Sequence, residues 1–161
     1  MQSLAGPMLR RASVDDAACV AGLNGHVQGW HAAQYPASFY AEPDPVALKG
    51  YFAGRLAEAD VTCLLAGDPI AVGYALCVLQ VREQSVFSPA VRRLTVEHIA
   101  VAPEARRQGI GSALLAGARA LARELACDEI MLDTWEANHA AHAFFAANGF
   151  AVRRMLFRAT P

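Results

Sequence analysis

Between Leu94 and Leu115 the chain reads LTVEHIAVAPEARRQGIGSALL: an apolar strand, a loop with two arginines and two glycines, then the opening of a long helix. That order leaves few architectures. A strand, a helix and then a further strand, here Glu129 to Thr134, cross over right-handedly and lie parallel, with the helix on one face. The loop is cationic, flexible and set on a helix N-terminus, whose unpaired N–H groups and positive dipole end favour anions. A phosphate-bearing ligand held by this turn is the first expectation.

The rest of the composition removes whole classes of function. At 161 residues the chain is expected to form one domain over residues 1–161, long enough to bury about 68–70% of its unfolded surface. Its net charge of −1 supplies no global basic field for nucleic acid, and the pairs Arg92-Arg93 and Arg153-Arg154 read as solvated faces. Cys19, Cys63, Cys77 and Cys127 lie apart, without metal-ligand spacing; a reduced, cytoplasmic protein with small buried thiols is expected. No metal is expected. The N-terminal MQSLAGPMLRR lacks the apolar centre of a signal peptide. The longest apolar run, Ile70 to Leu79, is too short for the roughly 20 residues that span a bilayer, so a soluble protein without a membrane partner is expected.

Along the chain, Met8 to Ala12 reads as a first strand and Ser13, before Asp15-Asp16, as a helix N-cap. That helix is expected to weaken at Asn24-Gly25. A segment rich in His, Trp, Tyr and Phe follows from His26 to Tyr40. Asp44-Pro45 opens a second helix running through Glu58, with an apolar stripe of Val46, Leu48, Tyr51, Phe52 and Leu56. Val61–Ala66 and Ile70–Val81 read as strands around a Gly67-Asp68-Pro69 turn. Arg92–Val101 is the next strand. From Gly109 to Ala126 a helix places Ile110, Leu114, Leu115, Ala118, Leu121, Ala122 and Leu125 on one face. Glu129–Thr134 is a strand, Asn138–Ala147 a helix stopped by Asn148-Gly149, and Val152–Phe157 a last strand. The class is mixed α/β: a central, mostly antiparallel sheet with one parallel strand–helix–strand crossover, flanked by helices.

Strict alternation along the strand puts Thr95, Glu97, Ile99 and Val101 on one face and Leu94, Val96, His98 and Ala100 on the other. Glu97 interrupts an apolar run close to the phosphate-binding turn, and two readings of it stand. It is a general base with a raised pKa, or a carboxylate at the sheet edge, solvated or paired with an arginine such as Arg92. His98, on the opposite face, is expected to pack against core or helix. His26 and His31 line a pocket or the surface. His139 and His142 share a helix face but have no carboxylate to complete a metal site. No HExxH, GxSxG or GxxxxGK[ST] occurs, which removes zinc proteases, serine hydrolases and P-loop NTPases.

Arg106-Arg107-Gln108-Gly109-Ile110-Gly111 fits [RQ]-x-x-G-x-[GA], and Asn138 to Phe150 reads NHAAHAFFAANGF, an Asn-started helix ending in Gly-Phe. In this order, with a strand between, the two resemble the signatures of the GCN5-related N-acetyltransferase (GNAT) superfamily. The resemblance covers Arg92 to Phe150; the first ninety residues match only in the order of elements. It implies a GNAT-like acyltransferase fold and an acetyl-CoA site. Backbone N–H groups from Arg107 through Gln108, Gly109, Ile110 and Gly111 to Ser112, next to Arg106, would cradle the pyrophosphate, a side chain at Gly109 or Gly111 holding the phosphates off. The edge of Ile99 and Val101, with Ala100 between them, would pair with the pantetheine arm, and Asn138 would hydrogen-bond it. The amine would attack the thioester directly in a ternary complex, with Glu97 taking its proton. Where the family usually carries a Tyr that protonates the thiolate, this chain has Phe145, so the acid is unassigned, His142 or a water being substitutes.

The resemblance thus implies an acetyl-CoA-dependent N-acetyltransferase acting on a primary amine of a small molecule or peptide, and a homodimer by analogy. The acceptor pocket is expected from His26–Tyr40 and Tyr74–Gln80, with Glu42 and Asp44 near, unless Trp30, Tyr35, Phe39 and Tyr40 are simply core beneath a loop. Two alternatives accompany this reading. One is a non-catalytic acetyl-CoA sensor or partner subunit, which Phe145 favours. The other is a dinucleotide-binding oxidoreductase, suggested by Gly109-x-Gly111 and Asp133 but opposed by Leu114 at the third glycine position.

Overall fold

The computed structural model describes residues 7–161; most of the N-terminal segment in which no signal peptide is expected lies outside the described residues. Five strands form one sheet in the order β1 (Leu9–Arg11), β2 (Val61–Ala66), β3 (Gly73–Arg82), β4 (Val91–Val101) and β5 (Glu129–Leu132). The first three junctions are antiparallel and β4–β5 is parallel. Helices α1 (Ala17–Gln34) and α2 (Pro45–Ala57) cover one face, while α3 (Ile110–Glu124) covers the other and α4 (His139–Ala147) packs beside α3. The mixed α/β sheet with a single parallel crossover is the one expected.

Two cores lie on the two faces. Val20, Leu23, Phe52, Cys63, Leu65, Tyr74 and Leu76 join α1 and α2 to the sheet. Leu64, Ala75, Cys77, Leu94, Val96, Leu114, Ala118 and Leu121 join it to α3. Along β2 and β3 the alternation is strict, because each residue step turns the side chain to the other face.

In β4 it is not. Leu76 pairs with His98 and Cys77 with Val96, so Glu97 is an extra residue on β4, a β-bulge. Leu94 and Val96 face α3 before the bulge, and Ile99 and Val101 face α3 after it. His98 and Ala100 turn toward α1 and α2. The expected division of β4 into two fixed faces is therefore corrected, since a one-residue insertion inverts the phase of everything beyond it.

Other boundaries shift for identifiable reasons. α1 does not weaken at Asn24-Gly25 but continues to Gln34: the Asn24 amide donates to the Tyr74 hydroxyl at 2.9 Å, and Val20, Leu23 and Ala32 are buried. Ser13 opens a short 3-10 turn, Val14–Asp16, ahead of α1, with its N–H and hydroxyl donating to the Asp16 carboxylate. Asp44 caps α2, accepting from Ala47 N–H at 2.7 Å. Of the expected buried thiols, Cys63 and Cys77 are buried, their pKa values pushed up to about 12 by desolvation. Cys19 is exposed instead. Residues 151–161 adopt no secondary structure. The expected strand Val152–Phe157 is not formed, because no strand of the sheet pairs with it and its apolar side chains lie in solvent. No helix among the described residues is long and apolar enough to cross a membrane.

Candidate active site

Parallel pairing between β4 and β5 stops at Val96–Leu132, while β4 runs on to Val101. Beyond the bulge, β4 thus has a free edge. Ala102 N–H donates to Val72 O at 2.8 Å, toward β3. Hydrogen-bonding directions alternate along a strand, so Ala100 and His98 also face β3 while Ile99 and Val101 direct their peptide groups into the split. Arg106 Nε donates to Val101 O at 3.1 Å. The edge left for an added strand is therefore Ile99 and the Val101 N–H. Ala100 is buried between them, against the α1–α2 core.

The split leads into the turn that precedes α3. Arg107 and Gly109 both have left-handed backbone, φ 61° and 79°, and alternation of this kind turns successive N–H groups to one side. The turn is held by its own side chains: Arg106 on Val101 O, and Gln108 Nε2 donating to Glu104 O at 2.9 Å. Ala113 N–H is the first in the helix to find a carbonyl, that of Gly109 at 2.9 Å. The N–H groups of Ile110, Gly111 and Ser112 therefore point out of the helix end without intrahelical partners. Arg107 is exposed and forms no ion pair among the described residues. N–H cradle, dipole end and unpaired guanidinium together fit a pyrophosphate.

The two glycines serve different ends. Nothing lies within 4 Å of a Cβ built on Gly109, so its conformation is what calls for glycine. A Cβ on Gly111 would meet the Phe144 ring at 2.9 Å, so packing by α4 is a requirement there in addition to any ligand approach. Arg119 binds α4 from its other end, donating to Asn148 O and lying 4.7 Å over the Phe150 ring.

Asn138 caps α4, its Oδ1 accepting from Ala141 N–H at 3.1 Å, which leaves its amide N–H groups as donors. Phe145 is 8% exposed and packs between Phe144 and Phe150, at ring separations of 5.4 and 6.1 Å. His142 Nε2 lies 3.1 Å from Trp135 O. His139 and His142 are exposed, 5.9 Å apart, and no group of three metal-ligating side chains forms among the described residues.

Glu97 is exposed at the bulge and paired with Arg55 of α2 at 2.6 Å, not with Arg92; the same guanidinium holds Glu58. Arg55 Nε is buried without a partner. Beside this pair, His98 packs on Phe52, and its Nδ1 lies 3.4 Å from the Tyr74 hydroxyl that Asn24 also holds. Burial lowers the pKa of His98 and raises that of Tyr74. Sequence reasoning missed Arg55 and Asn24. Both act across 42 to 50 residues of chain, and no local pattern marks them.

A second cluster joins the end of α1 to the β5–α4 connection. Tyr35 and Trp135 meet in a tilted pair at 4.4 Å, His31 and Phe39 stack at 4.8 Å, and Phe39 meets Trp135 at 5.2 Å. The Tyr35 hydroxyl accepts from Ala137 N–H at 3.2 Å. Trp30 leans on Tyr35 at 6.4 Å. Trp30, His31, Tyr35 and Phe39 are half-buried, whereas Trp135 is 39% exposed and Tyr40 stands in solvent. Glu42 is exposed and Asp44 is committed to its cap. Trp135 was not anticipated as part of this wall. A doubly wound nucleotide-binding sheet is not present among the described residues, which hold one parallel strand pair.

The likeness to known proteins agrees with this geometry. Aminoglycoside N(6')-acetyltransferase type 1 of Klebsiella aerogenes is 35% identical over 101 residues, 62% of this chain. The matched stretch spans 65% of that relative's length. The solved structure of a tetramutant of BH1408 protein from Bacillus halodurans shares the fold, with a TM-score of 0.90 at 19% identity, covering 96% of this chain and 99% of that one. So does aminoglycoside N-acetyltransferase AAC(6')-Iy in complex with CoA, with a TM-score of 0.76 at 18% identity, covering 99% and 98%. Residues 24–150 match the family model described as Acetyltransferase (GNAT) family, and the chain belongs to that family.

Proposed function

We propose that the protein transfers an acetyl group from acetyl-CoA to a primary amine of a small molecule or peptide, by direct attack in a ternary complex. The observation that carries this reading is the free edge of β4 leading straight into the N–H cradle of α3. Such an edge takes an extended amide-bearing chain as an added strand, and the cradle takes a pyrophosphate. A small-molecule acceptor is supported by the aminoglycoside acetyltransferase relative.

Acetyl-CoA, when bound, supplies an activated acetyl thioester. In this chain Ile99 and Val101 orient the pantetheine arm and the Ile110–Ser112 N–H groups bind its pyrophosphate, with Arg107 adding charge. The free donors of Asn138 hold the arm from the α4 side. Glu97 accepts the proton that the attacking amine loses as the C–N bond forms and the C–S bond breaks, directly or through water. Phe145 carries no proton to give the departing sulfur, which takes one from solvent. The half-buried rings of His31, Tyr35 and Phe39, with the more exposed Trp135, offer apolar and π surface to the acceptor's body.

A non-catalytic acetyl-CoA-binding role is favoured by two observations: Glu97 is engaged by Arg55, and Phe145 lacks a hydroxyl. Thiol release from acetyl-CoA, measured across a panel of aminoglycosides, polyamines and peptide N-termini, separates the two. Amine-dependent release is expected. Acetyl-CoA binding without release by any amine would support the sensor, and no acetyl-CoA binding would overturn both readings.

A further inference from the structure

Two arginine pairs, each expected on a solvated face, meet in the folded chain. Arg93 and Arg153 share the carboxylate of Glu129: Arg93 Nη2 donates to Oε1 at 2.5 Å, and Arg153 Nη1 donates to Oε2. Arg92 turns away, its Nε donating to Leu125 O at 2.7 Å. Arg82, at the end of β3, joins the group. A cavity of about 310 Å³ opens between Arg82, Arg93, Met131, Arg153 and Arg154.

Strand register explains the convergence. Gln80 pairs with Arg93, Arg93 with Glu129, and Arg82 lies two residues beyond Gln80. Side chains two apart share a face, so Arg82, Arg93, Glu129 and Met131 project from the same side of the sheet. Leu94 and Val96 face α3, which makes this the side of α1 and α2. No residue of either helix lines the cavity. The chain after Phe150 takes their place there, tied to the sheet through Arg153 and Glu129.

Charge does not balance at this point. Four guanidiniums surround one carboxylate, and Glu129 is already held by two of them. Arg82 and Arg154 form no ion pair among the described residues. Arg82 Nη2 reaches Pro89 O at 3.4 Å. Like charges held together repel, and an anion among them removes the repulsion. Guanidinium forks of N–H donors match the oxygens of phosphate. A lone phosphate would underfill the space, since a cavity of 310 Å³ has room for on the order of ten waters.

We propose that this cavity binds a small anion carrying a diphosphate group, at a site separate from the α3 cradle. Arg93 and Met131 reach the anion from the sheet, Arg82 from the end of β3, and Arg153 and Arg154 from the covering segment. Arg93 lies near the start of β4 and Val101 at its end, roughly 26 Å apart at about 3.3 Å per residue. One small anion therefore cannot serve both places. The site stands on these arginines and does not depend on the proposed chemistry.

Calorimetric titration of the full chain with inorganic pyrophosphate tests it. Acetyl-CoA is kept saturating so that the α3 cradle is filled, and ionic strength is fixed so that diffuse attraction is screened. One pyrophosphate per chain is expected to bind at submillimolar concentration. Arg82→Ala and Arg154→Ala should each weaken that binding roughly tenfold or more, because charge-assisted hydrogen bonds are lost. Both side chains are exposed, so neither variant should melt at a lower temperature than the parent. Arg107→Ala should leave pyrophosphate binding unchanged. A nucleoside diphosphate in a second arm identifies the source: tighter binding than pyrophosphate supports an organic diphosphate, and equal or weaker binding supports the inorganic ion. Absence of pyrophosphate binding at millimolar concentration would overturn the proposal. So would binding that survives both cavity variants, or binding that is lost in Arg107→Ala. Failure of acetyl-CoA itself to bind would refute the proposed function instead, and the Arg82 and Arg154 variants would still decide this site.

Discussion

Phe144 of α4 lies over Gly111 of α3 so closely that a single added methyl at Gly111 would fall 2.9 Å from Cζ of the ring. The turn before α3 and the helix opened by Asn138 are therefore joined through a missing side chain. Gly111→Ala is expected to cost about 1–3 kcal/mol of stability by overpacking. Combining it with Phe144→Leu should recover most of that loss in denaturant melts. Costs that simply add would show that the ring is not what Gly111 accommodates.

Two neighbouring arginines have separable tasks. Arg106 holds Val101 O at 3.1 Å, while Arg107 is exposed. Arg107→Ala should weaken acetyl-CoA binding several-fold, most at low ionic strength, and leave the melting temperature alone. Arg106→Ala should lower stability by about 1–2 kcal/mol through the lost hydrogen bond, with weaker binding following from a loosened turn. Calorimetry paired with thermal melts distinguishes these outcomes, and identical effects of the two variants would refute the division.

Glu97→Gln removes the carboxylate from Arg55 while keeping its shape. The ion pair is partly exposed, so stability should change by about 0–1 kcal/mol. Turnover, if Glu97 is the base, should fall about 10²- to 10⁴-fold with acetyl-CoA affinity intact. A fully active variant would transfer the role to another group.

Stability should depend on pH through two half-buried imidazoles. Desolvation holds His98 below the ordinary histidine range, Glu97 opposing the shift while Arg55 and His31 add to it; desolvation alone lowers His31. The unfolded chain then binds more protons than the folded one once pH falls through the unfolded value of about 6.5. Stability is full above that value and declines toward the lower, folded pKa. The melting temperature should drop between pH 7.5 and 5.5, and His98→Gln should make that drop smaller. An unaltered drop would assign the effect to His31.

Much of this arrangement was legible in the residues. β2 falls at Val61–Ala66 as read, and the apolar face of α3, with Leu114, Leu115, Ala118, Leu121 and Ala122 buried, follows directly from helical spacing. The glycine turn and its helix were legible because they depend on local conformation. α1 was misjudged because Gly22, Gly25 and Gly29 each lower intrinsic helicity by about 1 kcal/mol relative to alanine. All three have open space around them, and contacts on the opposite side, such as Asn24 with Tyr74, override the local preference. The last strand was misjudged for the complementary reason. Val152–Phe157 has strand composition, but a strand exists only against a partner, which composition does not supply. The tie between Glu97 and Arg55 spans 42 residues and leaves no trace in either neighbourhood.

The bulge at Glu97 makes chain length, as distinct from chain content, a determinant of this sheet. Deleting that one residue would do more than discard a carboxylate. With β3 fixed, the remainder of β4 would slide by one position against it, and either Leu94 and Val96 or Ile99 and Val101 would leave the α3 core. A half-turn of the strand would carry the outward-facing peptide groups of Ile99 and Val101 toward β3 and close the open edge. Any substitution at position 97 keeps the count and so keeps both cores in phase; a single-residue gap there cannot.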